Sequence, residues 1–170
     1  MKQLISVMGI LGMSVSIACA QDMSTNQVSS QMPPLPLNDF AHSLSAGLMV
    51  GEPTGPTVKY FLTDVLAVDG AFGWSPFPHA DMEFHADILY HDFNLIHVDE
   101  GRLPVYVGAG AFVRFRHNAD NQGGIRIPFG ISYMFQDIPV DIFAEVGPAI
   151  VLTPDVRGEI VGGIGARYRF

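Results

Sequence analysis

From about residue 42 to the C-terminus the chain alternates apolar and polar residues with period 2, and the parity of that alternation limits the fold more than any other feature. Successive side chains of a strand point to opposite faces, so the pattern divides each strand into two faces. In the last segment Ile160, Gly162, Ile164, Ala166, Tyr168 and Phe170 lie on one face, with Glu159, Val161, Gly163, Gly165, Arg167 and Arg169 on the other. An earlier segment sets Met82, Phe84, Ala86, Ile88 and Tyr90 against Glu83, His85, Asp87, Leu89 and His91. Each such strand has one fully apolar face and one face that carries charge.

Eight segments follow this rule, at about 42–51, 57–63, 65–75, 82–92, 104–116, 124–135, 140–151 and 159–170. Turn residues separate them, as in Glu52-Pro53-Thr54-Gly55-Pro56, Ser75-Pro76-Phe77-Pro78 and Thr153-Pro154-Asp155. No helical periodicity of useful length intervenes. The expected fold is all-β, an eight-stranded antiparallel up-and-down barrel.

Two architectures suit such strands. A soluble barrel, such as a secreted lipocalin-like carrier of a hydrophobic ligand, buries the apolar face. A transmembrane barrel turns it to lipid and encloses the polar one. Residue size favours the second. The charged face is rich in glycine (Gly47, Gly73, Gly108, Gly110, Gly130, Gly147, Gly163, Gly165), and a narrow interior needs small residues where a solvated face does not. Trp74, Tyr90, Tyr133, Phe135, Tyr168 and Phe170 fall near strand ends, where interfacial aromatic girdles sit. Eight strands of roughly ten residues use about 80 residues, which the chain holds with short loops, whereas a sixteen-stranded porin needs about 160.

The N-terminal end supports export. Lys2, an apolar run from Leu4 to Ile17 and Ala18-Cys19-Ala20 give the order of a signal peptide over residues 1–20. Cys19 is the one cysteine, so cleavage after Ala20 leaves no thiol for a disulfide. Cleavage before Cys19, giving a lipidated cysteine, is the rival. Residues 21–41 are polar and then proline-rich (Met32-Pro33-Pro34-Leu35-Pro36-Leu37) and read as a tether, leaving 42–170 as the barrel domain. With 48% hydrophobic and 15% charged residues the chain is no disordered protein, and its net charge of −8 argues against nucleic acid.

The last residues, Gly162 to Phe170, resemble the C-terminal signal of bacterial outer-membrane proteins: Phe at the end, an aromatic at the third position from it, and apolar residues at alternate positions before. Gly162, Ile164, Ala166, Tyr168 and Phe170 match in turn. The resemblance implies recognition of these residues by the barrel assembly machinery. Residues 44–170 as a whole resemble the small eight-stranded barrels of the OmpA/OmpX type. With Gly51-Glu52-Pro53-Thr54-Gly55 and Gly101-Arg102-Leu103-Pro104-Val105-Tyr106, they are most similar to a family of short outer-membrane barrels with no established activity. This implies a cell outer membrane, with its lipids as surroundings. It also makes the connection from about 93 to 103 periplasmic and longer than usual for that end.

By parity the inward charges are Lys59, Arg114, Arg116, Arg126, Arg167 and Arg169 against Asp69, Glu83, Asp87, Asp141, Glu145 and Glu159. Charges enclosed away from water require partners, so these residues are expected to form an ion-pair network that plugs the barrel. The same face carries His85, Asp87 and His91, and inward serines (Ser43, Ser45, Ser132) that a His–Asp pair could activate in a lipid hydrolase or acyltransferase. No spacing motif supports a triad or metal site. His85 and His91 stand about 20 Å apart along a strand, too far to share an ion. The glycines of Gly108-Ala109-Gly110 lie within a strand and so do not form a phosphate loop. The expectation is a monomer without enzymatic activity, metal or cofactor, serving the envelope structurally or through loops near 52–56, 76–81, 117–123 and 153–158. A narrow pore is the minor alternative.

Overall fold

The computed structural model describes residues 40–75, 81–117 and 119–170. The expected signal peptide over residues 1–20, the expected tether as far as residue 39 and most of the loop expected at 76–81 lie outside the described residues. Nine strands follow in order: β1 (Leu44–Gly51), β2 (Gly55–Phe61), β3 (Leu66–Ser75), β4 (Asp81–Asp92), β5 (Val105–Phe115), β6 (Gln122–Arg126), β7 (Phe129–Met134), β8 (Val140–Thr153) and β9 (Arg157–Arg169). From β1 to β5 each strand pairs antiparallel with the next; β6 and β7 each pair with both β5 and β8, β8 pairs with β9, and β9 returns to β1, as in Ala46 opposite Tyr168. With β6 and β7 end to end in one position, the ring closes through eight strand positions. Closure leaves no edge among the described strands, so no row of amides is left unpaired at a sheet margin.

The sixth segment, expected as one strand over 124–135, is divided between β6 and β7. The cause is Pro128, which has no amide to donate. Pro148 stands at the same height in β8. Ile127 still donates to Pro148 O at 3.0 Å and Gly108 to Pro128 O at 2.9 Å, but neither proline can return the bond. The β6–β8 register also shifts between Gly123 and Gly124.

Burial follows the sequence parity but in the opposite sense to a water-soluble barrel. Along β4 buried and exposed residues alternate strictly from Asp81 to His91, and the buried ones include Glu83, His85 and Asp87. Lys59 and His85 are 0% exposed, whereas Ile160 is 78% and Leu48 67% exposed. A lipocalin-like carrier needs the reverse arrangement, with its apolar face inside. The buried apolar residues form only small clusters: Phe40, Phe61, Ala67 and Met134 near one end, Met49, Ala71 and Phe143 midway, and Phe112, Ala149, Val151 and Val161 beyond.

The turns after β2 and β7, the long connection after β4 and the start of β1 lie at one end, as the bonds Phe61 to Ser43 O, His91 to Val65 O and Arg169 to Pro139 O show. The 93–104 connection is held to the wall by a bridge between Arg102 and Met134 and by Tyr133 Oη donating to Glu100 O at 3.1 Å. Gly101 there has φ 71°, a left-handed conformation suited to glycine. Its Phe93 stacks on Phe40 at 5.2 Å.

Inward glycines make room for the charged side chains. A Cβ on Gly110 would fall on the Asp87 side chain and the Ala86 carbonyl, whereas one on Gly158 would meet nothing within 4 Å. Gly110→Ala is therefore expected to cost about 1–3 kcal/mol through overpacking. Gly158→Ala should leave the unfolding midpoint in guanidinium unchanged.

Candidate functional site

The only dense gathering of chemistry among the described residues is the enclosed face of the ring. Nearest the β3–β4 loop end, Arg114 from β5 is the hub. Its Nε donates to Glu83 Oε2 at 2.8 Å, its Nη1 to Gln122 Oε1 at 3.1 Å and its Nη2 to Glu159 Oε1 at 3.1 Å. Arg157 joins through Gln122 at 3.0 Å and Glu159 at 3.5 Å, and Arg116 Nε meets Asp81 Oδ2 at 3.2 Å. These contacts tie β4, β5, β6 and β9 across the ring.

Midway, two further arginines are almost fully enclosed. Arg126 Nη2 donates to Glu145 Oε1, its Nε lies 3.3 Å from Asp87 Oδ2, and its Nη1 lies 3.2 Å from His85 Nδ1. Tyr106 Oη donates to the other Glu145 oxygen at 3.1 Å. Arg167 donates through Nη2 to Asp69 Oδ2 and, at 2.8 Å, to Thr57 Oγ1. Thr57 passes its own proton to Gly70 O at 3.1 Å. The Arg167 guanidinium also stands 3.7 Å over the Phe143 ring, a stacking that its planar, weakly hydrated head accommodates.

The structure departs from the expected network at three positions. Lys59, Asp141 and Arg169 are turned to the enclosed face, but none makes an ion pair within 4.0 Å among the described residues. Lys59 Nζ lies instead 3.4 Å from His91 Nε2, with the Tyr106 and Phe61 rings 5.1 and 5.8 Å away. Arg169 stands 5.1 Å over the Phe40 ring. Parity sets which face a charge joins; height along the ring decides what it meets there, and aromatic faces occupy the end where these two cations sit.

Five polar contributors lie outside the expected set: Thr57, Asp81, Tyr106, Gln122 and Arg157. Asp81, Gln122 and Arg157 share the inward parity of their strands but lie one or two residues outside the segment limits read from the sequence. Thr57 and Tyr106 share the inward parity but are uncharged, so a rule that selects charges does not include them.

His85, Asp69 and Asp87 bring one donor atom each within 4.8 Å of one another. His85 Nε2 lies 3.8 Å from Asp69 Oδ1 and 3.7 Å from Asp87 Oδ2, beyond hydrogen-bond reach. Because Arg126 can only donate, its contact with Nδ1 makes that nitrogen the acceptor and assigns the ring proton to Nε2. The proton then points between the two carboxylates, where a metal would need a bare lone pair, and the Arg126 and Arg167 cations beside them oppose a dication. Among the described residues neither His85 nor His91 bonds a serine: Ser43 Oγ donates to Phe40 O at 2.7 Å, and Ser132 Oγ is buried without a partner. Among the described residues, His85 and His91 thus form neither a triad nor a preformed metal centre.

The chain is similar to the crystal structure of the N-terminal β-barrel domain of OprF from Pseudomonas aeruginosa, with a TM-score of 0.60, 19% sequence identity, and coverage of 76% of this chain and 98% of that one. The fold is that of the OmpA-type eight-stranded barrels. No protein-family profile and no curated protein sequence matches the chain.

Removing Arg126 would leave Glu145 and Asp87 without their shared cation inside the ring. Arg126→Met is expected to cost about 3–5 kcal/mol. Arg157→Met, at a side chain 49% exposed, should cost no more than about 1 kcal/mol. Urea titration of the refolded barrel reads both.

Proposed function

We propose that this protein is an integral outer-membrane β-barrel whose interior is closed by its own side chains, with a structural or envelope-interaction role and no enzymatic activity. The observation that carries the reading is the reversed burial: charges are enclosed while Leu48, Ile88, Val146, Ile160 and Ile164 are all more than half exposed. Such a surface is costly in water and suited to hydrocarbon. Tyr133 and Phe135 pack edge to face at 4.8 Å, as do Tyr168 and Phe170 at 5.2 Å, giving one end of the wall the aromatic pairs expected at a membrane interface.

In this reading the signal peptide of residues 1–20 exports the chain and the barrel assembly machinery recognises Gly162, Ile164, Ala166, Tyr168 and Phe170. The inserted protein is a monomer surrounded by outer-membrane lipid. In this reading the arginine–carboxylate pairs that cross the ring close it to ions. The turns near 52–54 and 154–156 lie at the end that this reading places outside the cell.

Fractionation of cells expressing the full chain, with gel mobility compared before and after boiling, tests the assignment. Outer-membrane recovery with a heat-dependent shift is the expected result; a soluble protein without a shift refutes it. Ile88→Arg, near the middle of β4 and facing outward, should lower stability in vesicles by about 2–4 kcal/mol. Deleting Phe170 should reduce the heat-shifted form severalfold, and planar bilayers should show no discrete conductance steps.

A further inference from the structure

The outward wall is not uniformly filled. Across β7, β8 and β9 the register aligns Ile131, Ala144 and Ile164 in one row and Phe129, Val146 and Gly162 in the next. Ala144 and Gly162 are gaps in otherwise large rows, and the backbone of Gly130, Glu145 and Gly163 passes between them. The result is a groove of about 510 Å³ bordered by Val105, Phe129, Ile131, Val146 and Ile164. It lies beside the break at Pro128, where the wall strand is divided.

We propose that this groove is a specific binding site for one phospholipid acyl chain. The inference rests on the outer-membrane reading. The groove is continuous with the exposed apolar belt, Ile142 and Ile160 included, so hydrocarbon is the phase in contact with it. Its lining side chains are uncharged, and the one carboxylate beside it, that of Glu145, is engaged inward by Arg126 and Tyr106. Ala144 lies four residues into β8 from the β7–β8 turn, about 13 Å of strand and, at the usual tilt, about 10 Å of depth. That depth belongs to the leaflet at the end bearing the C-terminus, and Tyr133 and Tyr168 on the same wall stand nearer the interface where the lipid's headgroup would sit. A chain seated there contacts walls on both sides, whereas a chain on the smooth belt meets one surface only, so residence is longer in the groove.

Native mass spectrometry of the full barrel, inserted into phosphatidylglycerol vesicles and released from detergent, tests this. The wild type should retain one phospholipid. Ala144→Phe fills the gap and should reduce retention about tenfold at limiting lipid, with Ala144→Met as a smaller filler acting in the same direction. Val68→Phe, an enlargement within the filled outward row of Tyr60, Val68 and Ile88, should retain lipid as the wild type does. Equal retention by all variants, each showing the heat-dependent mobility shift, overturns the groove and leaves the barrel reading intact. A wild type that fails to insert or shift overturns both.

Discussion

The pairing of enclosed arginines with carboxylates is the interaction on which the rest of the structure depends. A ring of eight strand positions is too narrow to hold bulk water around a charge, so a guanidinium enclosed midway finds its anions across the interior. Arg126 reaches Glu145 and Asp87 on different strands, and Arg167 reaches Asp69 on a third. The gain is less in net stability than in specificity, because a register slip of one residue would turn every one of these charges to the outside. The outward apolar rows impose the same register from the other face.

Space and charge are coupled. The interior holds large side chains such as Arg167, Tyr106 and Lys59, and it does so because glycine occupies the facing positions. Gly110 makes way for Asp87, and Gly130 lies against the Tyr106 ring. Glycine weakens a strand through its backbone entropy. Closure of the ring offsets this, since every strand gains a hydrogen-bonded neighbour on both sides. The prolines at 128 and 148 loosen the ladder at one height, and the gaps of the outer groove adjoin that height.

Much of this was legible in the sequence. The alternation located the wall strands, and their parity assigned Lys59, Arg126, Glu145 and the other enclosed charges to the correct face. Glycines on the charged face pointed to enclosure, and the resemblance of the C-terminal strand to outer-membrane signals pointed to the same barrel type as the structural comparison. Pro128, inside the sixth segment, was a readable sign that the strand would divide, because a proline interrupts a ladder wherever the chain passes through it. The period of a strand therefore determined faces and order by purely local geometry.

Tertiary structure alone decided the partners. Arg114 meets Glu159 from 45 residues away, and Arg167 meets Thr57 from 110; neither spacing has a local reason. Lys59 shares the inward parity and faces Asp69 in register, yet its ammonium lies beside His91 and aromatic rings while Asp69 is taken by Arg167. The proton assignment of His85, and with it the argument against a metal, depends on which arginine reaches Nδ1. Parity is a property of one strand and can be read along it. Height around a closed ring depends on stagger, tilt and closure together, and these exist only once the first and last strands have paired.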